Sequence, residues 1–169
     1  RTGHIIEVTE AGNDHAATTF TWRIFLLAGD PAAAATAADN VSLNGASTFT
    51  GDRFGSPDNV TFDTSGNMWI ATDGTPSNYP FNDGIYAMPL SVTPGQPVPV
   101  KRFLSVPAGA ECCGPLLSPD NTTFFIAVQH PGEDVSGLFS NSQSKWPDGD
   151  YPRPSVVTIR RTDGGRIGS

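Results

Sequence analysis

"VTFDTSGNMWIATD" (60–73) and "PLLSPDNTTFFIAVQ" (115–129) are one unit written twice. Each is a short strand rich in β-branched and aromatic residues, a turn carrying Asp with Gly or Asn, and a second strand. Phe62 aligns with Leu117, an offset of 117 − 62 = 55, and Ile70-Ala71 align with Ile126-Ala127, an offset of 56, so one residue is inserted at the turn. A period of this size with several strands per unit is the signature of propeller blades. Working outward, "GIYAMPL" (84–90) and "VPVKRFLSVP" (98–107) complete a four-stranded blade over 52–107. "HIIEVTE" (4–10) and "TFTWRIFLLAG" (19–29) read as the outer strands of a blade before it, covering 1–29. "SVVTIRR" (155–161) reads as the third strand of a blade over 109–169, reached across a polar, Pro-rich loop at 131–154. The pattern predicts an all-β fold of β-propeller blades, about two to two and a half of them, built from antiparallel four-stranded sheets. A closed propeller typically takes about 4–8 blades, so the chain reads as a partial propeller, a part of something longer.

Composition supports this reading. Gly 18 and Pro 15 leave little room for long helices. The Ala-rich segment 30–44 reads as an irregular loop, with a short helix opened by Pro31 as the alternative. Lys and Arg number 10 against 17 Asp and Glu, a formal charge of −7. Such a chain does not attract nucleic acid or an anionic membrane, and an anionic substrate would need bound cations to reverse the local field. No apolar run approaches the roughly 20 residues of a membrane-spanning helix, and the opening "RTGHIIEV" does not read as a signal peptide. Cys112 and Cys113 are sequence neighbours, a spacing whose disulfide strains the backbone, so they are expected to be free thiols.

The innermost strand of a propeller blade lines the channel, and its first residues face the channel mouth. Asp58-Asn59 stand there in one unit and "GAECCG" (109–114) in the next. Asp58 aligns with Cys113, and Glu111, two residues earlier, shares a strand face with it. Asp58 and Glu111 are therefore directed at one axis. Carboxylates converging without basic partners repel, and a hard cation with oxygen ligands relieves that. The plainer reading makes Asp58 a turn residue and Glu111 a solvated rim residue. His130 and Glu133 in "QHPGE" read first as a turn and second as a border of the site. Asp14-His15, Asp63 and Asp73 read as turn residues, and Arg153 as a tie between the long loop and an acidic residue. Trp69 and Phe125, aligned by the repeat, read as core between sheets. No Ser-His-Asp order, P-loop or glycine-rich nucleotide motif is present.

Four segments together, "DHAATTFTWRIFLLAGDP" (14–31), "SPDNVTFDTSGNMWIATDG" (56–74), "GAECCGPLLSPDNTTFFIAVQHPGE" (109–133) and "PRPSVVTI" (152–159), resemble the C-terminal part of PhoX-type alkaline phosphatases. The resemblance implies an exported, periplasmic or secreted, monomeric six-bladed propeller. It implies hydrolysis of phosphate monoesters at a channel-mouth site holding calcium and iron, with Asp58 and Glu111 among the metal carboxylates. The family's iron-binding cysteine lies in a Thr-Cys-Glu motif that this sequence lacks, so the resemblance gives Cys112 and Cys113 no such role. It also implies that this chain alone is inactive, with association to the rest of the propeller or to another copy. Two other classes stand beside it: a non-catalytic calcium-stabilised binding scaffold, and a calcium-dependent lactonase- or esterase-like propeller.

Overall fold

The repeat unit folds as a β-hairpin in both of its copies. The computed structural model describes residues 2–32, 49–77, 79–91, 96–133 and 142–168. Ten strands are present among them: β1 (His4–Glu10), β2 (Phe20–Leu27), β3 (Phe49–Gly51), β4 (Pro57–Phe62), β5 (Asn67–Thr72), β6 (Gly84–Pro89), β7 (Val98–Ser105), β8 (Glu111–Leu117), β9 (Thr123–Gln129) and β10 (Ser155–Arg160). The described helical turns are two short 3-10 turns, Ala11–Asn13 and Thr75–Ser77. The fold is all-β. The segments read for a possible helix at 30–44, and most of the start of the 131–154 loop, fall outside the described residues beyond 32 and between 134 and 141.

The strands form a two-stranded sheet β1-β2, a five-stranded sheet in the order β3-β7-β6-β5-β4, and a three-stranded sheet β10-β9-β8. Every pairing between strands consecutive in sequence is antiparallel. The central sheet departs from the four-stranded antiparallel expectation. β3 adds a fifth strand, parallel to β7, pairing Phe49 with Val98 and Gly51 with Val100. Gly51 has φ +97, and a Cβ there would collide with the Val100 carbonyl, so only glycine lets the two backbones meet. Asp52 then closes the edge: its N–H donates to the Val100 carbonyl at 2.9 Å and its Oδ2 accepts from the Arg102 N–H at 2.8 Å.

Three layers result, with the central sheet in the middle. One face of β5 and β6 presents Met68, Ile70, Tyr86 and Met88 to Phe25, Leu26, Phe49 and Phe54. The other face presents Trp69, Ala71 and Ile85 to Cys112, Phe124, Ile126 and Val128 of the third sheet. Two-sided burial explains why "NMWIATD" is a near-continuous apolar run instead of an alternating one. Trp69 is 2% exposed and meets Phe103 and Phe124 with ring centroids 5.2 and 5.0 Å away.

Phe125, the repeat partner of Trp69, is only half-buried, and here the expected core position differs from the structure. The outer face of the third sheet, which pairs Leu116 with Phe125, has no further layer over it among the described residues. Val156 on that sheet is 74% exposed and Leu116 is exposed as well. The β1-β2 hairpin is open in the same way: Ile6, Val8, Phe20, Trp22 and Ile24 lie on one face, paired Ile6 with Ile24 and Val8 with Trp22, and Trp22 is 63% exposed.

The turn residues behave as their chemistry demands. Asp63 accepts from the N–H groups of Ser65 (2.8 Å) and Asn67 (2.9 Å), from the Asn67 amide (2.7 Å) and from Trp69 Nε1 (3.0 Å). Burial by itself would raise its pKa, but these four donors outweigh it and hold the carboxyl below its usual 3.8. A carboxylate with a depressed folded pKa stabilises the fold above its unfolded pKa, and that stabilisation is lost as pH falls through the folded value. Asp63→Asn should therefore cost about 1–3 kcal/mol at pH 7. In urea unfolding the gap to wild type should close below about pH 4, and a gap independent of pH would refute the assignment. Asp14 likewise caps its turn through the Ala16 N–H (2.9 Å), and Arg153 pairs with an acidic residue of the long loop itself, Asp148, at 2.8 Å.

Candidate functional site

The innermost strands β4 and β8 run side by side and carry the two predicted ligands at their beginnings. Asp58 is the second residue of β4 and is exposed; Glu111 is the first residue of β8 and is 9% exposed. Both strands bulge near these points, β4 between Pro57 and Val60 and β8 between Cys113 and Leu116. Bulges re-aim side chains at sheet edges and accommodate prolines that cannot join a ladder. Asn59 joins the two strands, its Oδ1 accepting from the Gly114 N–H at 3.0 Å. The Asp-Asn pair is thus divided in function: Asn59 fastens one sheet to the next, and Asp58 is left free at the rim.

Glu111 is not a solvated rim residue. Its Oε2 accepts from Gln129 Nε2 at 2.5 Å and lies 3.4 Å from His130 Nε2. Burial raises the Glu111 pKa, the Asp73 and Asp58 charges raise it further, and His130 offsets part of the rise. Asp73 shows the same pattern: burial first, then the charges of Asp83 and Asp58, push its pKa up, with His130 opposing. The structure therefore brings Asp58 and Glu111 into one electrostatic neighbourhood and adds Asp73 to it. Asp73 lies in the bend after β5, as read from the sequence, but among the described residues no backbone group donates to its carboxylate; the neighbouring Asp83 does that work. Buried Asp83 accepts from Thr72 Oγ1 (2.7 Å), Gly74 N–H (3.0 Å) and Thr75 N–H (2.9 Å).

His130 was read first as a turn residue and is also a wall of the site. Its Nδ1 lies 3.2 Å from the Gly109 carbonyl and 3.0 Å from Glu133 Oε2. Burial works against its charge, but Gly109, Glu133 and Glu111 outweigh it and raise its pKa above the usual 6.5. Only the place of "QH" at the end of the strand next to "GAE" signalled this contact, since Glu111 and Gln129 are cross-strand partners. A cavity of about 400 Å³ opens beside these residues, lined by Asp73, Asn82, Asp83, Gly109, His130 and Glu133 among others. Its walls carry more acid than base, so it suits a cation and repels a bare anion.

The cysteines are free thiols, as expected. Cys112 points into the core, where burial pushes its thiol up to about 12. Cys113 is on the opposite face, 3.7 Å from Gln129 Oε1, and burial together with Glu111, Asp58 and Asp73 raises its pKa.

Residues 1–132 match the family described as alkaline phosphatase PhoX. The chain belongs to that family. Among solved structures it is similar to Pseudomonas fluorescens PhoX in complex with vanadate, a transition state analogue, at 32% identity and a TM-score of 0.74. That likeness covers 99% of this chain and 28% of the other, so the chain spans under a third of the PhoX length. No curated protein sequence matches it. The all-β layers are those of a PhoX-type β-propeller.

Proposed function

We propose that this chain is part of an exported, metal-dependent PhoX-type phosphatase acting on phosphate monoesters, and that Asp58 and Glu111 are two of the carboxylates that hold its calcium and iron. The observation that carries the reading is the family match over residues 1–132. The donor chemistry fits in part: Glu111 and Asp73 are hard oxygen ligands whose raised pKa values reflect burial and mutual repulsion that a cation would relieve. Among the described residues no three His, Cys, Asp or Glu side chains form a group that would hold an ion by itself. On this reading Asp58 and Glu111 would be completed by ligands from the rest of the propeller. Bound cations would supply Lewis-acid stabilisation of the phosphoryl oxygens. Glu111 would bind from a fixed, buried position, Asp58 from the exposed rim, and the acidic cavity walls would keep phosphate out until that charge is neutralised. Elemental analysis of the active enzyme should find calcium and iron, and chelation should abolish hydrolysis of p-nitrophenyl phosphate. Activity that survives complete chelation would overturn the reading, and calcium without iron accompanied by lactone hydrolysis would favour the lactonase-like alternative.

The partner reading follows from the open surfaces. An apolar face carrying Phe20, Trp22 and Ile24, with unpaired strand edges beside it, recruits other sheets. Its occupant is further propeller structure or another copy of the chain. Purified alone, the 169-residue chain should self-associate in light scattering, and Trp22→Ser should shift it toward monomer. A stable wild-type monomer would rule out that association.

A further inference from the structure

We infer that His130 and Gln129 are positioning residues that fix which oxygen of Glu111 is offered to a cation; this rests on the reading of Glu111 as a metal ligand. Gln129 donates a hydrogen bond to Oε2, and the His130 ring stands against the same atom at ion-pair distance. Gln129 Nε2 is 2.5 Å and His130 Nε2 is 3.4 Å from Oε2, and among the described residues Oε1 has no hydrogen-bond donor. Oε2 is thereby engaged, and among the described residues Oε1 is the oxygen left for a cation.

His130 is held by its own contacts with protein acceptors. Nδ1 faces the Gly109 carbonyl and Glu133, and Nε2 faces Glu111, so each ring nitrogen is turned to an acceptor.

The backbone around the imidazole is built to hold it there. His130 has φ +35, an uncommon left-handed value for a residue with a side chain. The turn after it is bonded to the strand-entry loop by Gly132 N–H to the Ala108 carbonyl (2.8 Å) and closed by Glu133 N–H to the His130 carbonyl (3.1 Å). Gly109 has φ +70, and a Cβ there would strike the Glu133 backbone, so the loop presents its carbonyl to His130 only because residue 109 is glycine. A strained residue held by several such contacts is the arrangement found where orientation matters. Ligand-orienting neighbours of this kind are typically worth about 10–100-fold in metal affinity.

The test is calorimetric calcium binding by the full protein, freed of metal. His130→Ala and Gln129→Leu should each weaken binding about 10-fold or more, and His130→Gln, which restores an N–H donor toward Oε2, should recover most of the loss. In a Glu111→Gln background, His130→Ala should have no further effect. If His130→Ala fails to fold, Gln129→Leu and His130→Gln still decide the matter. Wild-type affinity in His130→Ala and Gln129→Leu, with binding lost in Glu111→Gln, overturns the positioning role and leaves Glu111 as a ligand. Equal weakening by His130→Ala and His130→Gln overturns it too, because the donor would then not be what matters. Wild-type affinity in Glu111→Gln overturns both.

Discussion

Glu111→Gln should lower kcat/KM of the phosphatase by at least about 100-fold and leave the metal-free protein as stable as wild type or more so. The two halves of this result have one cause. Glu111 is buried beside Asp73 and Asp58, which raises its pKa above 4.5. A carboxylate with a raised folded pKa destabilises the fold at neutral pH, and the penalty falls as pH drops through the folded value. Glutamine removes the charge, keeps an oxygen for the Gln129 amide, and so removes the penalty along with the ligand. Thermal unfolding of the metal-free proteins should show the variant equal or higher at pH 7, with the two converging under acid where Glu111 is itself protonated. Steady-state kinetics with p-nitrophenyl phosphate reads the other half. Full activity in the variant would remove Glu111 from the site, and a large loss of stability would show that its carboxylate serves the fold.

Trp69→Ala should cost about 3–5 kcal/mol in urea unfolding, a large share of the stability of a domain of this size. The side chain fills the contact between the central and third sheets, touching Phe103 and Phe124, and its Nε1 donates to Asp63. Removing it leaves a cavity and takes one donor from a buried carboxylate. Phe125→Ala, at the equivalent place in the next unit, should cost about 1 kcal/mol or less, because the face it lies on is open. Equal losses at the two positions would mean that the outer face of the third sheet is covered in solution.

The repeat made most of the strands legible, since period-2 alternation and turn chemistry are local signals. β3 was not legible: "FTG" is three residues long and becomes a strand only by lying parallel to β7, a non-local pairing with no turn to announce it. Trp69 and Phe125 show a second limit. The repeat aligns them correctly, but burial depends on what lies over each face, and the next layer is not written in the unit itself. At the site, Asp58 and Glu111 could be placed together because each begins an innermost strand. Asp73 and His130 could not, because each also fits an ordinary turn, and only the register between β8 and β9 puts Gln129 and His130 against Glu111.

The central sheet separates two apolar clusters that meet on opposite faces of the same strands, Ile70 and Tyr86 on one side, Trp69 and Ile85 on the other. Cooperativity must therefore pass through one sheet. In a stack of this kind the energy is a sum of layer terms and nearest-neighbour interfaces, as in linear repeat proteins. Both outer layers have one neighbour, but β8 lies close against β4, β5 and β6 whereas no strand of the central sheet lies as close to β1 or β2, so the hairpin is the layer that detaches at least cost. Since β4 and β8 meet within the two layers that remain, the rim that carries Asp58 and Glu111 belongs to the part of the stack that comes apart last.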